Sequence, residues 1–210
     1  SGADVVIAPE WFFVPKGRFY TAKEFKKLVK ELTELSSGHD GLIVPGTIAW
    51  KDKDGNYRNT ALALSNGRVL KQYDKRNDGD DHSFASRLGT KWKPGTSNSL
   101  FTWRGLRVGL EVCRDHGDAS LRWDLAERGQ SMVDLQLVVS AGVPVSHPAV
   151  GVGGVVILAQ GDRDPSGGGL GGHVKRRVPR QDSPWAKLAD GKRTETRRLG
   201  GGTLSLLELQ

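Results

Sequence analysis

Leu106-Arg107-Val108-Gly109-Leu110-Glu111-Val112-Cys113-Arg114-Asp115 is the stretch on which the rest of the chain turns. Leu106 to Val112, with Val108, Leu110 and Val112 among its residues, reads as a strand. It runs straight into Cys113, the only cysteine in 210 residues. One cysteine allows no intrachain disulfide and no cysteine-rich zinc site. A lone cysteine is most often a small buried hydrophobe, so its setting has to argue for anything more. That setting is a strand's carboxyl end, where α/β sheets carry ligand and catalytic groups.

Upstream, Leu100 to Trp103 pairs with this strand as a hairpin across Arg104-Gly105. Downstream, Ala119 to Arg128 reads as a helix, with Leu121, Leu125 and the stem of Arg128 at helical spacing. Gln130 to Asp134 then leads to the strand Leu135 to Ser140. The chain's start repeats the pattern: Asp4-Val5-Val6-Ile7-Ala8 is a β-branched run ending at Pro9-Glu10. Thr21 to Leu35 is an amphipathic helix, with Phe25, Leu28, Val29, Leu32 and Leu35 on one face. Thr21 and Glu24 form a capping box at its start, and Ser37-Gly38 closes it.

Gly41 to Ala49 reads as a second strand. Asn59 to Leu64 and Arg68 to Tyr73 follow, with turns at Asp54-Gly55 and Asn66-Gly67. Arg76 to Gly95 reads as a long polar loop. Beyond Ser140 the pattern thins. Val155 to Leu158 is a short strand, Ser166 to Gly172 a glycine-rich turn, Lys175 to Val178 a segment able to pair back, and Thr203 to Leu209 a terminal strand. The glycine runs 151–154 and 167–172 read as hairpin tips, since neither has the strand and helix context of a phosphate loop. Residues 181–202 have few apolar anchors and read as a loop, ordered or mobile.

Composition sets the outer limits. At 37% hydrophobic and 26% charged residues, the chain is soluble, globular and sized for one domain, 1–210. No stretch approaches the roughly 20 apolar residues of a membrane helix, so no membrane association is expected. Val5 to Ala8 is too short, and lacks the basic lead-in, for a signal peptide. The expected location is therefore cytoplasmic, with delivery as an effector domain left open. The net charge is +7. Its excess lies late, in Lys175, Arg176, Arg177, Arg180, Lys192, Arg193, Arg197 and Arg198, with no nucleic-acid-binding motif around it. A solvated basic surface is the simpler reading. The five histidines, at 39, 82, 116, 147 and 173, lack metal-ligand spacing, and neither metal nor cofactor is expected.

Three polar residues thus follow strands: Glu10, Lys75 after Val69 to Tyr73, and Cys113. With their flanks they resemble the nitrilase superfamily, the carbon–nitrogen hydrolases, whose members carry a Glu–Lys–Cys triad in this order. The glutamate segment is Gly2-Ala3-Asp4-Val5-Val6-Ile7-Ala8-Pro9-Glu10. The lysine segment is Gly67-Arg68-Val69-Leu70 through Tyr73-Asp74-Lys75, preceded by Gly55-Asn56-Tyr57-Arg58-Asn59-Thr60-Ala61. The cysteine segment is Pro94-Gly95, then Gly105 to Gly109 and Cys113-Arg114-Asp115. Leu125-Ala126-Glu127-Arg128-Gly129 and Val138-Val139-Ser140-Ala141 resemble the helix and strand that follow. The motif-bearing part is 2–142.

The resemblance implies a four-layer α-β-β-α sandwich, a small-molecule amide substrate and a homodimer or higher oligomer. Nucleic acid and membrane are not implied partners. It gives Cys113 the role of nucleophile, Glu10 that of general base and acid, and Lys75 that of oxyanion stabiliser; the backbone N–H of Arg114 is expected, on the chemistry alone, to face the same oxyanion. Trp11, Asn59, Asp81, Asp115 and Ser140 are the expected pocket residues. The chemistry is coherent in itself, because a nearby ammonium favours the thiolate, the reactive form of cysteine, and a carboxylate can carry the proton from thiol to leaving amine.

The sequence departs from the family in three places. The strand and helix that normally precede Gly2 have no counterpart. The expectation is a sandwich lacking that first strand–helix unit, from a fragment, a processed form or a reduced variant, with an open sheet edge that a partner subunit would cover. No second glutamate stands between Lys75 and Pro94; Asp78, Asp80 and Asp81 lie there instead, as a replacement or as a solvated loop. After Asp115 the run His116-Gly117-Asp118 diverges. Glu111, two before Cys113, shares its face if the strand continues. Four alternatives stay open: a nitrilase-fold binding protein without catalysis, an acyltransferase using the same thioester, a thiol–imidazole pair using His116 or His147, and a nucleic-acid binder using the late basic cluster.

Overall fold

The computed structural model describes residues 4–161, 171–180, 183–190, 192–199 and 202–208. The chain divides into two compact units, Ser1–Asn98 and Ser99–Gln210. Each carries its own sheet, and the whole is a mixed α/β fold.

The first unit is built on β4 (Tyr57–Ser65), its longest strand. β3 (Thr47–Lys51) and β5 (Arg68–Asp74) pair antiparallel with it, through Ala49↔Asn59 and Ala61↔Tyr73 among others. β2 (Leu42–Val44) meets β4 at Ile43↔Leu64 and pairs in parallel with β1 (Val5–Ile7). Alternation then sorts the side chains. Ile48, Trp50, Leu62 and Leu64 pack with Phe25, Leu28, Val29 and Leu32 of helix α1 (Ala22–Leu35). Ala49 and Tyr57 pack instead with Phe19, Phe84 and Ala85. Both halves of the α1 capping box are formed. The Arg18 guanidinium and the Thr21 backbone N–H hold the Glu24 carboxyl down at about 2.

Two departures from the sequence reading lie in this unit. The run Gly41 to Ala49 is two strands, because the chain bends at Pro45-Gly46. Gly46 has φ +84, and a Cβ there would fall on the Pro9 carbonyl oxygen, so glycine lets the segment before Glu10 pass over it. The polar stretch 76–95 contains helix α2 (Asp81–Arg87), which carries Phe84 and Ala85 into the core.

In the second unit β7 (Leu106–Val112) forms the expected hairpin with β6 (Leu100–Trp103) and pairs in parallel with β8 (Val133–Ser140). The crossover between β7 and β8 carries a short helix α3 (Arg114–Gly117) and then α4 (Ser120–Glu127). Leu121 and Leu125 of α4 pack onto Val133, Val138, Val156 and Leu158. Gly109 leaves room for Leu121, whose methyl would meet any Cβ placed there.

The sheet continues through β9 (Val150–Gln160), β10 (Gly171–Arg180) and β11 (Ser183–Asp190). β12 (Lys192–Leu199) and β13 (Gly202–Glu208) form a separate antiparallel pair. Within 181–202, read above as a loop, the described residues therefore run as strands. The glycine run 151–154 lies inside β9 and not at a hairpin tip. Pairing steps there from Val133↔Val150 to Leu135↔Val155, so the extra residues form a bulge, and Gly153 takes φ +84. In the run 167–172, only Gly171 and Gly172 lie among the described residues. The late basic positions fall on β10 and β12. No helix among the described residues is long and apolar enough to cross a membrane.

Candidate functional site

In the first unit the sheet register brings five of the named residues together. The Lys75 N–H donates to the Asn59 carbonyl at 2.9 Å, extending the β4–β5 pairing by one step. The Gly95 N–H in turn donates to the Lys75 carbonyl at 2.8 Å, and a Cβ on Gly95 would strike the Asp74 carbonyl. This close approach is the physical reason for glycine in Pro94-Gly95. Lys75 is only 1% exposed, and its Nζ lies 2.8 Å from Glu10 Oε1 and 2.6 Å from Asp81 Oδ2. Asn59 Nδ2 donates to both carboxylates, at 2.9 Å to Glu10 and 2.9 Å to Asp81.

Two aromatic residues complete the cluster. Tyr57, on the same face of β4 as Asn59, donates its hydroxyl to Asp81 Oδ1 at 3.0 Å. Burial and the Asp81 charge push the Tyr57 hydroxyl well above its usual pKa, so it stays a donor. Trp11 Nε1 donates to the Tyr57 oxygen at 3.2 Å, and the Trp11 ring lies 6.0 Å from Lys75 Nζ. Trp11 has φ 58, and its N–H reaches Thr47 Oγ1 at 2.7 Å. An ammonium between two carboxylates, in a dry setting, is the arrangement that makes buried charge tolerable. Asp81 is thus a buried ion-pair partner and not part of a solvated loop. Tyr57 was missed by the sequence reading, although its spacing of two from Asn59 places both on one face.

In the second unit Cys113 sits between β7 and α3. Its N–H donates to the Val139 carbonyl at 2.8 Å, and its own carbonyl accepts from His116 and Gly117 at 3.0 and 3.2 Å. Its backbone is at φ 45, ψ −102, a region costing a non-glycine residue on the order of 1–3 kcal/mol. Such strain persists only where the surroundings hold it. Asp115 is buried. Arg114 Nε pairs with Asp118 at 2.9 Å. The Ser140 hydroxyl is committed to its own turn, accepting from the Val143 and Gly142 N–H groups at 2.8 and 3.2 Å.

A second polar cluster, which the sequence reading did not assemble, surrounds this elbow. Glu111 is 1% and His116 0% exposed. Glu111 Oε1 accepts from the Leu121 N–H at 2.8 Å. Glu111 Oε2 accepts from Gln136 Nε2 at 2.6 Å and faces His116 Nδ1 at 3.0 Å. His116 Nε2 accepts from the Ser146 N–H at 3.1 Å, which puts the ring proton on Nδ1 and directs it to Glu111. Both ring nitrogens are therefore bonded, and the thiol–imidazole alternative finds no open base at His116. Among the described residues, no group of three or more His, Cys, Asp or Glu is placed to hold a metal ion.

The model of the carbon–nitrogen hydrolase family matches residues 1–146, and the chain belongs to that family, within the nitrilase superfamily. Solved structures share the fold. Nit3 of Saccharomyces cerevisiae, a member of branch 10 of the superfamily, is 18% identical with a TM-score of 0.59, over 83% of this chain and 69% of that one. The NitN amidase of Nesterenkonia sp. AN1 is 21% identical with a TM-score of 0.63, over 100% of this chain and 80% of that one. A carbon–nitrogen hydrolase from Helicobacter pylori G27 is 16% identical with a TM-score of 0.57, over 83% and 70%. A search of curated protein sequences returns no match.

Proposed function

We propose that the chain hydrolyses carbon–nitrogen bonds of small amides, with Cys113 as nucleophile, Glu10 as general base and acid, and Lys75 as the stabiliser of the oxyanion. The observation that carries this reading is Lys75 itself, buried at 1% exposure between Glu10 and Asp81. A surface lysine has no reason to be placed so. Burying an ammonium against two carboxylates makes sense where a fixed positive charge is needed beside a developing negative one.

The chemistry runs in two halves. Glu10 takes the thiol proton, and the Cys113 sulfur attacks the amide carbon. The carbonyl electrons move to oxygen, where Lys75 and the Arg114 N–H meet the charge; one such donor is worth about 3 kcal/mol in the transition state. The carbon–nitrogen bond breaks, and the amine leaves with the proton that Glu10 held. Glu10 then takes a proton from water, the hydroxide attacks the thioester, and the acid leaves as the thiol is reprotonated. Asp81, sharing Lys75 and Asn59 with Glu10, takes the place of the absent second glutamate in orienting substrate. Trp11, Asn59 and Asp115 shape the remainder of the pocket.

The fold relatives supply the choice of substrate class. A glutamate variant of the Nesterenkonia amidase carries the acetamide moiety of fluoroacetamide on its active-site cysteine. Short aliphatic amides are therefore the first compounds to test. Ammonia release from such a panel should be measurable with the wild-type chain and fall by at least about 10⁴-fold in Cys113→Ala. Equal release by both chains would remove Cys113 from the chemistry.

A further inference from the structure

Glu111, His116 and Gln136 form a buried network for which the proposed reaction has no use. Its members bracket the nucleophile. Glu111 is the second residue before Cys113, on β7, and His116 the third after it, on α3. Their contact at 3.0 Å closes a ring of chain around the residue at φ 45.

The same groups tie down every segment that leaves the elbow. Helix α4 begins at Ser120, and its N-cap, Ala119, has φ 58 and offers no side-chain cap. The Glu111 carboxylate caps it from another element, through the Leu121 N–H at 2.8 Å. Gln136, on β8, donates to Glu111 at 2.6 Å and accepts from the Ala149 N–H at 2.8 Å. His116 accepts from Ser146, in the segment after β8. One carboxylate thus receives three donors from α4, β8 and α3, and each donor is needed to keep that carboxylate satisfied while buried.

We propose that Glu111 is a positioning residue: through His116, Gln136 and Leu121 it holds the strained backbone of Cys113, and so aims the sulfur. This inference rests on the reading of Cys113 as the nucleophile. It assigns to Glu111 no contact with substrate and no proton transfer.

Glu111→Gln tests the claim, because it keeps size and shape while replacing one acceptor oxygen by a donor. Whichever way the amide is turned, a donor then faces either the Leu121 N–H or the Gln136 and His116 donors. The readout is the pH midpoint of iodoacetamide alkylation at Cys113. If Glu111 acted only as a nearby negative charge, its removal would lower the midpoint. If it aims the sulfur, its removal takes the thiolate out of its stabilising setting, and the midpoint rises toward the ordinary thiol value of about 8.5. The expected result is a wild-type midpoint below that value, a rise of about one unit or more in Glu111→Gln, and recovery in the charge-swapped pair Glu111→Gln/Gln136→Glu, which restores one buried carboxylate among the same donors.

Should Glu111→Gln fail to fold, His116→Asn answers the same question, since it breaks the tie to Ser146 and should also raise the midpoint. A depressed wild-type midpoint left unchanged or lowered by these variants would overturn the positioning role while sparing the nucleophile. A wild-type midpoint at or above the ordinary value would overturn the proposed function, and this inference with it.

Discussion

The two buried polar clusters handle charge in different ways. In the first unit, one ammonium serves two carboxylates, Glu10 and Asp81, with Asn59 and Tyr57 as neutral donors. In the second, one carboxylate, Glu111, is satisfied by a backbone N–H, an amide and a histidine ring, with no lysine or arginine in the set. The first arrangement suits a group that must present positive charge. The second suits a group that must stay still. The difference predicts how each responds to damage.

The largest effect should come from Lys75→Met. It leaves Glu10 and Asp81 buried against each other with the cation gone, and should cost about 3–5 kcal/mol of stability in urea denaturation. Glu111→Gln removes no opposite charge and should cost less, about 1–3 kcal/mol. If the two losses came out in the reverse order, the contrast drawn between the clusters would be wrong.

A smaller effect sharpens the picture of Tyr57. Burial and the Asp81 charge raise its ionisation in the folded chain, whereas the unfolded chain ionises near pH 10. Above that pH the unfolded state loses a proton that the folded state keeps, so stability contributed by Tyr57 is full below pH about 10 and falls as pH rises. The stability difference between wild type and Tyr57→Phe should therefore shrink above that pH, as read from denaturation curves at a series of alkaline pH values. A constant difference would mean that the hydroxyl is not held as the structure has it.

Much of this was legible in the sequence, for identifiable reasons. The Thr21–Glu24 box, the Asn66-Gly67 and Arg104-Gly105 turns and the strand before Cys113 are local signals, and each element formed where its signal stood. Helix α2 was hidden because it is short and its N-cap, Asp80, makes no side-chain capping bond. Asp81 is named from the sequence, but its partners lie on β4 and just beyond β5, where the polar run 76–95 does not point. The strand break at Pro45-Gly46 depends on the approach of Pro9, a contact no local pattern encodes. Alternation puts Glu111 on the face of Cys113 only if the strand continues, and β7 ends at Val112. The partners of Glu111, Gln136 on a neighbouring strand and His116 past the elbow, became visible only once the sheet register and the strained turn were known.

The central claim is that Cys113 is an activated nucleophile for amides. Mass spectrometry of the intact chain, acid-quenched during incubation with a panel of short aliphatic amides and followed by peptide mapping, tests it most directly. One acyl adduct per chain, a thioester on Cys113, is expected together with released ammonia, and neither in Cys113→Ala. A chain that neither acylates nor releases ammonia with any of these amides, while iodoacetamide alkylates Cys113 readily, would contradict it, because the thiol would then be accessible yet inert toward the amide carbonyl.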